Sequence, residues 1–270
     1  MDVATGWLIA IGAVTGLTGA MLGLGGGVFL VPLLALALGV PIRVAVATSL
    51  LSVIASASAS ATVNLSRGLV NLRLGLVLEM ATAVGGLLGG LTAQLISPRQ
   101  LFVLFAATLV AMSAAMARRS SRRNVLIDDG EGPGHLGGRL REGEIDYIYR
   151  VRRLPMALVA SLGAGAISGL LGLGGGIVKV PVLSAFCGVP IKVAAATSTF
   201  MIGVTATASA LIYFGRGDVD LRLAAAVCLG ALPASLVGAQ LAQRVQARSL
   251  KLLMALVLFG VGLRMALEAL

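Results

Sequence analysis

The sequence predicts an all-α polytopic membrane protein made of two homologous halves, and three observations carry that reading. The first is hydropathy: 58% of the 270 residues are hydrophobic, 12% are charged and the mean hydropathy is +1.00, which leaves too little polar surface to cover a water-soluble globule. The second is segment length, because the runs between charges reach the roughly 20 residues that a hydrocarbon core of about 30 Å demands of a helix. The third is an internal repeat. Leu22-Gly23-Leu24-Gly25-Gly26-Gly27, followed by Val31-Pro32, returns as Leu171-Gly172-Leu173-Gly174-Gly175-Gly176 and Val180-Pro181. At the same offset of 149, without a gap, Gly39 to Arg43 matches Gly188 to Lys192, Ala47-Thr48-Ser49 matches Ala196-Thr197-Ser198, and Arg67-Gly68 matches Arg216-Gly217. The chain is two copies of one unit of about a hundred residues.

In order, residues 7–22 read as a first membrane helix with Trp7 as an interfacial anchor. No basic residue precedes this apolar stretch, so it is expected to be a retained helix and not a removed signal peptide. After the glycines, residues 28–38 are apolar but cover only about 16 Å as a helix, the mark of a broken or half-length segment. Gly39 and Pro41 end it, and Pro41 suits the start of the next helix. Residues 44–65 are full length and carry the small residues Ser52, Ser56, Ser58 and Ser60, which let helix backbones approach in lipid. Residues 72–96 follow, with Gly85, Gly86, Gly89 and Gly90 at small-xxx-small spacing, and residues 101–117 form a fifth segment. The second copy repeats the series as 155–171, 177–186, 193–214, 223–242 and 250–269.

These spans divide the chain into a first membrane repeat at 1–117, a polar linker at 118–153 and a second membrane repeat at 154–270. The linker gathers Arg118, Arg119, Arg122, Arg123, Arg139, Arg141, Arg150, Arg152 and Arg153 among acidic residues and glycines. It is expected to lie in the cytoplasm and to bury no core. Five crossing segments, an odd number, would insert the second copy upside down and give inverted repeats. If the short second segments re-enter without crossing, each copy has four spans and the repeats are parallel. Arg67, Arg73, Lys192, Arg244, Arg248 and Lys251 favour inversion by falling on the inner side, whereas Arg43, Arg99, Arg216 and Arg222 fall outside.

Several function classes are set aside. Nine of the 21 basic residues behind the net charge of +10 fall in the linker, where they read as a topology signal, and aromatic residues make up 4% of the chain, so a nucleic-acid platform or a cofactor-stacking box is not expected. Cys187 and Cys228 sit in apolar segments without CxxC spacing, and His135 is the sole histidine, which supports neither a disulfide nor a metal site. No Ser/His/Asp set and no phosphate-binding GK[ST] loop is present, so the chain reads as neither an enzyme nor an ATP-driven pump.

The paired Leu-Gly-Leu-Gly-Gly-Gly loops, each with its Val-Pro, Gly-Val-Pro and Ala-Thr-Ser, resemble the sulfite exporter TauE/SafE family of membrane transporters. The resemblance covers nearly the whole chain outside the linker. It implies a multi-pass bacterial inner-membrane permease for small sulfur-containing anions such as sulfite or organosulfonates. The expected partners are the bilayer, a small anionic substrate and a coupling proton or ion, with no cofactor. A membrane assembly protein that binds partners and conducts nothing is the alternative.

For a transporter, the glycine loops Gly23, Gly25, Gly26, Gly27 and Gly172, Gly174, Gly175, Gly176 are candidate anion cradles, because unpaired amides at a helix start carry the positive end of its dipole. They also read as sharp turns that permit tight packing. Thr48, Ser49, Thr197, Ser198 and Thr199 are candidate hydroxyl donors to an oxyanion, or else bond back to helix carbonyls. Lys179, at the position of Leu30 in the first copy, is the candidate counter-charge, with snorkelling as the alternative. Glu79, at the position of Cys228 in the second copy, is the coupling candidate, or a structural partner of Lys179 or of a loop arginine.

Overall fold

The computed structural model describes residues 3–118, 134–142, 145–242, 259–260 and 262–267. The expected segment at 250–269 and its neighbours Arg244, Arg248 and Lys251 therefore lie largely outside the described residues, as does most of the first half of the linker. The first half of the chain folds as α1 (Val3–Leu22), α2 (Gly27–Pro32) with a π-helical extension (Leu33–Ala37), α3 (Ile42–Ser66), α4 (Leu72–Thr92) and α5 (Pro98–Arg118). The second supplies α6 (Leu154–Leu171), α7 (Gly176–Ala185), α8 (Ile191–Gly215) and α9 (Leu221–Leu241). Six of these helices, α1, α3, α4, α6, α8 and α9, are long and apolar enough to cross a membrane. The protein is an all-α polytopic membrane protein, with one small hairpin of β1 (Gly138–Glu142) and β2 (Ile145–Tyr149) before α6.

The broken second segment has a local cause. Pro32 supplies no amide to the helix that starts at Gly27, and the ladder continues beyond it as a π turn. The long helices owe their packing to glycine. A Cβ on Gly12 or Gly16 of α1 would collide with the backbone of Val227 or Ala231 of α9, and one on Gly85 or Gly165 would collide with the Leu162 or Thr82 carbonyl across the α4–α6 contact. In lipid no hydrophobic force drives helices together, so this backbone approach supplies the van der Waals contact instead. The opposite face of α4 exposes Met80, Val84 and Leu91 to the hydrocarbon.

Contact registers fix the direction of each helix. Asn71 N meets Thr197 Oγ1 at 3.0 Å, Glu79 meets Thr205, Gly86 O meets Ser209 Oγ at 3.3 Å and Gly90 O meets Arg216 at 2.8 Å, so α4 and α8 run the same way. Only residues 67–71 join α3 to α4, a reach of about 17 Å at full extension, so these two are antiparallel. Hence α3 opposes α8, its own counterpart in the repeat, and the halves are inverted. Parallel 4+4 repeats are excluded by the same step.

The same reasoning makes α1 parallel to α9 and α4 parallel to α6. The first long helix of each half thus packs beside the fourth helix of the other. Because α1 and α3 run in one direction, the chain must return between Leu22 and Ile42, and the glycine loop with α2 and its π extension makes that return.

Arg67, Arg73 and Lys192 share the end of the bundle where the linker enters, and Arg43, Arg99, Arg216 and Arg222 lie at the other end. Two of the latter have local work. Arg43 donates to Ile96 O at 3.2 Å and Arg216 to Gly90 O at 2.8 Å, satisfying carbonyls in and beyond the last turn of α4.

The hairpin departs from the expectation of a linker that buries no core. Leu140 and Tyr149 are buried in one cluster with Leu74 and Leu78 of α4, Leu183 of α7 and Met201 of α8. Gly138 lies opposite Tyr149, and any side chain there would strike the ring. Asn71 joins the parts: its Oδ1 accepts from Leu74 N at 3.0 Å as the cap of α4, and its Nδ2 donates to Leu136 O at 2.8 Å and Tyr149 Oη at 3.0 Å.

Two outcomes follow. With Cys187 and Cys228 replaced by serine, Ser66→Cys and Gly215→Cys, equivalent in the repeat, should react with an impermeant maleimide from opposite sides of a sealed vesicle; labelling from one side would refute the inversion. Burial holds the Tyr149 phenol above its ordinary value of 10.0, so the folded state keeps that proton more tightly than the unfolded one. Hairpin docking should then be complete below about pH 10 and fade as pH rises through the raised value. Tyr149→Phe should abolish this alkaline sensitivity and lose about 1 kcal/mol of docking, both readable from hydrogen exchange of β1 and β2.

Candidate functional site

The two glycine loops cross each other in the middle of the bundle. Gly25 and Gly174 both face Val53 of α3 and Ile202 of α8: a Cβ on Gly25 would stand 3.2 Å from Val53 and 3.0 Å from Ile202, and one on Gly174 would stand 3.2 and 2.8 Å from the same pair. On either side of that point the loops exchange contacts head to tail, with Gly27 against Gly172 O and Gly176 against Gly23 O. Gly23, Gly25, Gly26, Gly172, Gly174 and Gly175 all have φ between 69° and 80°, a region that other residues adopt at a cost. Glycine is thus required twice over, for backbone angle and for room. In this conformation the loop surfaces that a side chain would occupy are filled by neighbouring backbone and by the side chains of Val53 and Ile202.

The candidate hydroxyls divide into three kinds. Ser49 Oγ donates to Gly172 O at 2.9 Å, fastening α3 to the opposite loop, and Thr197 Oγ1 accepts the Asn71 amide. Thr199 Oγ1 bonds back to Ala195 O at 2.9 Å within its own helix. The hydroxyls of Thr48 and Ser198 are buried without a hydrogen-bond partner, and Ser198 Oγ lies 3.2 Å from where a Cβ on Gly176 would stand. Ser198 therefore faces the start of α7.

Lys179 and Glu79, a hundred residues apart, meet. Lys179 Nζ lies 3.9 Å from Glu79 Oε2, with the lysine side chain wholly buried and the glutamate side chain 8% exposed. The lysine stem runs back over the loop, its Cε 3.4 Å from where a Cβ on Gly175 would be. Thr205 Oγ1 donates to Glu79 Oε1 at 2.7 Å, while Glu79 Oε2 and Lys179 Nζ have no hydrogen-bond partner. Thr205 is one turn from Ile202, so the pair sits beside the loop crossing and Lys179 does not snorkel.

Glu79 and Lys179 are the only buried charged side chains among the described residues. Each costs about 3 kcal/mol at the centre of a membrane helix, and a 3.9 Å separation with no hydrogen bond between the two charges recovers little of that. Stability alone does not explain them.

Ser168, likewise buried and without a partner, was missed by sequence reasoning, since a lone serine in a glycine-rich helix looks like packing. A groove of about 640 Å³ opens between α3 and α8 beside the crossing. Its lining is apolar apart from the hydroxyls of Ser58, Thr62 and Thr207, so the charge that could select an anion lies at Lys179 and not there.

A family model described as sulfite exporter TauE/SafE matches residues 8–265. The chain is 26% identical to the probable membrane transporter protein YunE of Bacillus subtilis (strain 168), over 97% of both chains. It is 35% identical to sulfite exporter TauE/SafE family protein 1 of Arabidopsis thaliana over 119 residues, which are 44% of this chain and 26% of that one. No solved structure gives a significant match. An inverted repeat with a glycine loop in each half, matched along almost its whole length by one family model, settles the assignment: the chain belongs to the sulfite exporter TauE/SafE family of membrane transporters.

Proposed function

We propose that the protein is a secondary permease of the bacterial inner membrane that carries small sulfur-containing oxyanions, such as sulfite or organosulfonates, by alternating access about the crossing of its two glycine loops. The arginine-rich linker then lies in the cytoplasm. The observation that carries the reading is Lys179: a buried ammonium without a hydrogen-bond acceptor, folded over the loop that starts α7. An oxyanion placed there would meet Lys179 Nζ, the unpaired amides at the start of α7 and the Ser198 hydroxyl, donors suited to negatively charged oxygen. The printed names of the relatives, a probable membrane transporter and a sulfite exporter family protein, support the same class.

Inverted halves give the fold a way to move. A pseudo-twofold in the membrane plane relates an inward-open to an outward-open arrangement, and the loops stay at the axis while the halves rock. The packed crossing corresponds to a closed state, and entry of substrate requires α3 and α8 to part.

Reconstituted protein should carry sulfite, thiosulfate or an alkanesulfonate across a vesicle membrane. Charge-assisted hydrogen bonds contribute about 1.5–3 kcal/mol, so Lys179→Met should lower the flux at limiting substrate by roughly tenfold or more, with thermal unfolding in detergent reporting that it still folds. No flux of any of these anions, or equal flux in Lys179→Met, would refute the assignment.

A further inference from the structure

The geometry points to Glu79 as a proton-binding site that loads together with the anion, so that a monovalent oxyanion crosses with one proton and no net charge. This deepens the proposed function and rests on Lys179 as the anion's counter-charge.

Electroneutrality drives the argument. At rest the site holds one ammonium and one carboxylate 3.9 Å apart, with no other buried charge among the described residues. Seen from Glu79, α7 presents Lys179 and α8 presents the neutral Thr205, while α6, packed along α4, buries only the neutral Ser161 and Ser168 as polar residues. An incoming monoanion would leave a net negative charge in a low-dielectric interior, which is expensive. One proton from water on Glu79 Oε2 cancels it. Lys179 keeps its proton throughout and trades the carboxylate for the anion, and release reverses both steps without making or breaking any other bond.

The surroundings of Glu79 tolerate both states. Oε1 is held by Thr205 and Oε2 is free. A proton on Oε2 leaves the Thr205 bond to Oε1 intact; Thr205 Oγ1 also lies 3.2 Å from Met201 O, so a proton on Oε1 is met by the threonine turning its own proton to that carbonyl and accepting from Glu79. A hydroxyl between a carboxyl and a spare carbonyl serves as donor or acceptor as needed.

The repeat indicates that the site is single. The positions matching Glu79, Lys179 and Thr205 in the other half are Cys228, Leu30 and Ser56, and Ser56 Oγ donates to Gly25 O at 3.2 Å. The set of matching positions holds no carboxylate that could take up a second proton.

The test uses the intact protein in sealed vesicles and a monovalent alkanesulfonate as probe. A pH gradient, acidic on the side of entry, should drive uphill accumulation, and a potassium-diffusion potential of either sign should not. In Glu79→Gln the ratio of accumulation with and without the pH gradient should fall to one, whereas Cys228→Ser should keep the wild-type ratio. Accumulation driven by potential and indifferent to pH in the wild type would overturn the coupling while leaving transport standing, and this readout needs no variant to fold. Persistence of the pH response in Glu79→Gln would overturn it equally. Absence of any flux in the wild type would instead sink the transport reading and the coupling with it.

Discussion

Two strips of bare backbone pass through the same point at the centre of the bundle. Gly27 touches the carbonyl of Gly172, Gly176 touches that of Gly23, and Ser49 fastens the pair by donating to Gly172 O. Everything else is arranged around that crossing. The loops can meet only if α1 and α6 stop short of the helices that follow them. The short helices α2 and α7 then complete the return across the membrane, and one half is inverted against the other. The long helices obey the same rule of close approach, with α1 against α9 and α4 against α6 at glycine positions. A fold assembled in lipid gains little from apolar burial, so the closeness of its backbones is its main source of cohesion.

Much of this was legible in the sequence because the repeat keeps its register over the whole of each half. The half-length segments and the glycine loops followed from spacing and length. What spacing does not encode is which helix packs against which. Sequential neighbours usually pair in space, yet here α1 chooses α9 and α6 chooses α4, an exchange that only the inverted axis explains. Arg43 and Arg216 seemed to argue against inversion, because charge counting treats every loop arginine as a topology signal. Their guanidinium groups are spent on carbonyls at the end of α4. The hairpin was hidden by the composition of its surroundings. The run Ile145-Asp146-Tyr147-Ile148-Tyr149, rich in β-branched and aromatic residues and holding two of the three tyrosines of the chain, is a strand signal that a reading of the whole linker as polar averaged away.

At the site, the sequence revealed the charges one at a time. A lysine or glutamate inside an apolar run is conspicuous on grounds of cost, but their meeting depends on α4 and α7 sharing a neighbour in α8. One signal was available: each charge lacks a counterpart in the repeat, with Leu30 facing Lys179 and Cys228 facing Glu79 across the offset. Two departures of opposite sign in an otherwise matched pair of halves are accounted for together if they neutralise each other. The hydroxyls were less legible. Thr48, Ser49, Thr197, Ser198 and Thr199 look alike in a string, and what separates them is whether a carbonyl, an amide or nothing lies within reach.

That asymmetry bears on how an inverted repeat works. If the two halves were identical in sequence, the pseudo-twofold would exchange the inward-open and outward-open states, and their free energies would be equal by symmetry. A preference for one side can come only from residues that differ between the halves. In the buried core the largest such difference is the pair Glu79 and Lys179 set against Cys228 and Leu30. Under the proposed alternating access, a charge-bearing site off the axis would be solvated differently in the two states, whereas a glycine crossing on the axis would be the same in both. On the proposed mechanism, the crossing is then the pivot that makes alternation possible, and the one-sided charge pair is what makes the two states unequal and lets a bound proton or anion shift the balance between them.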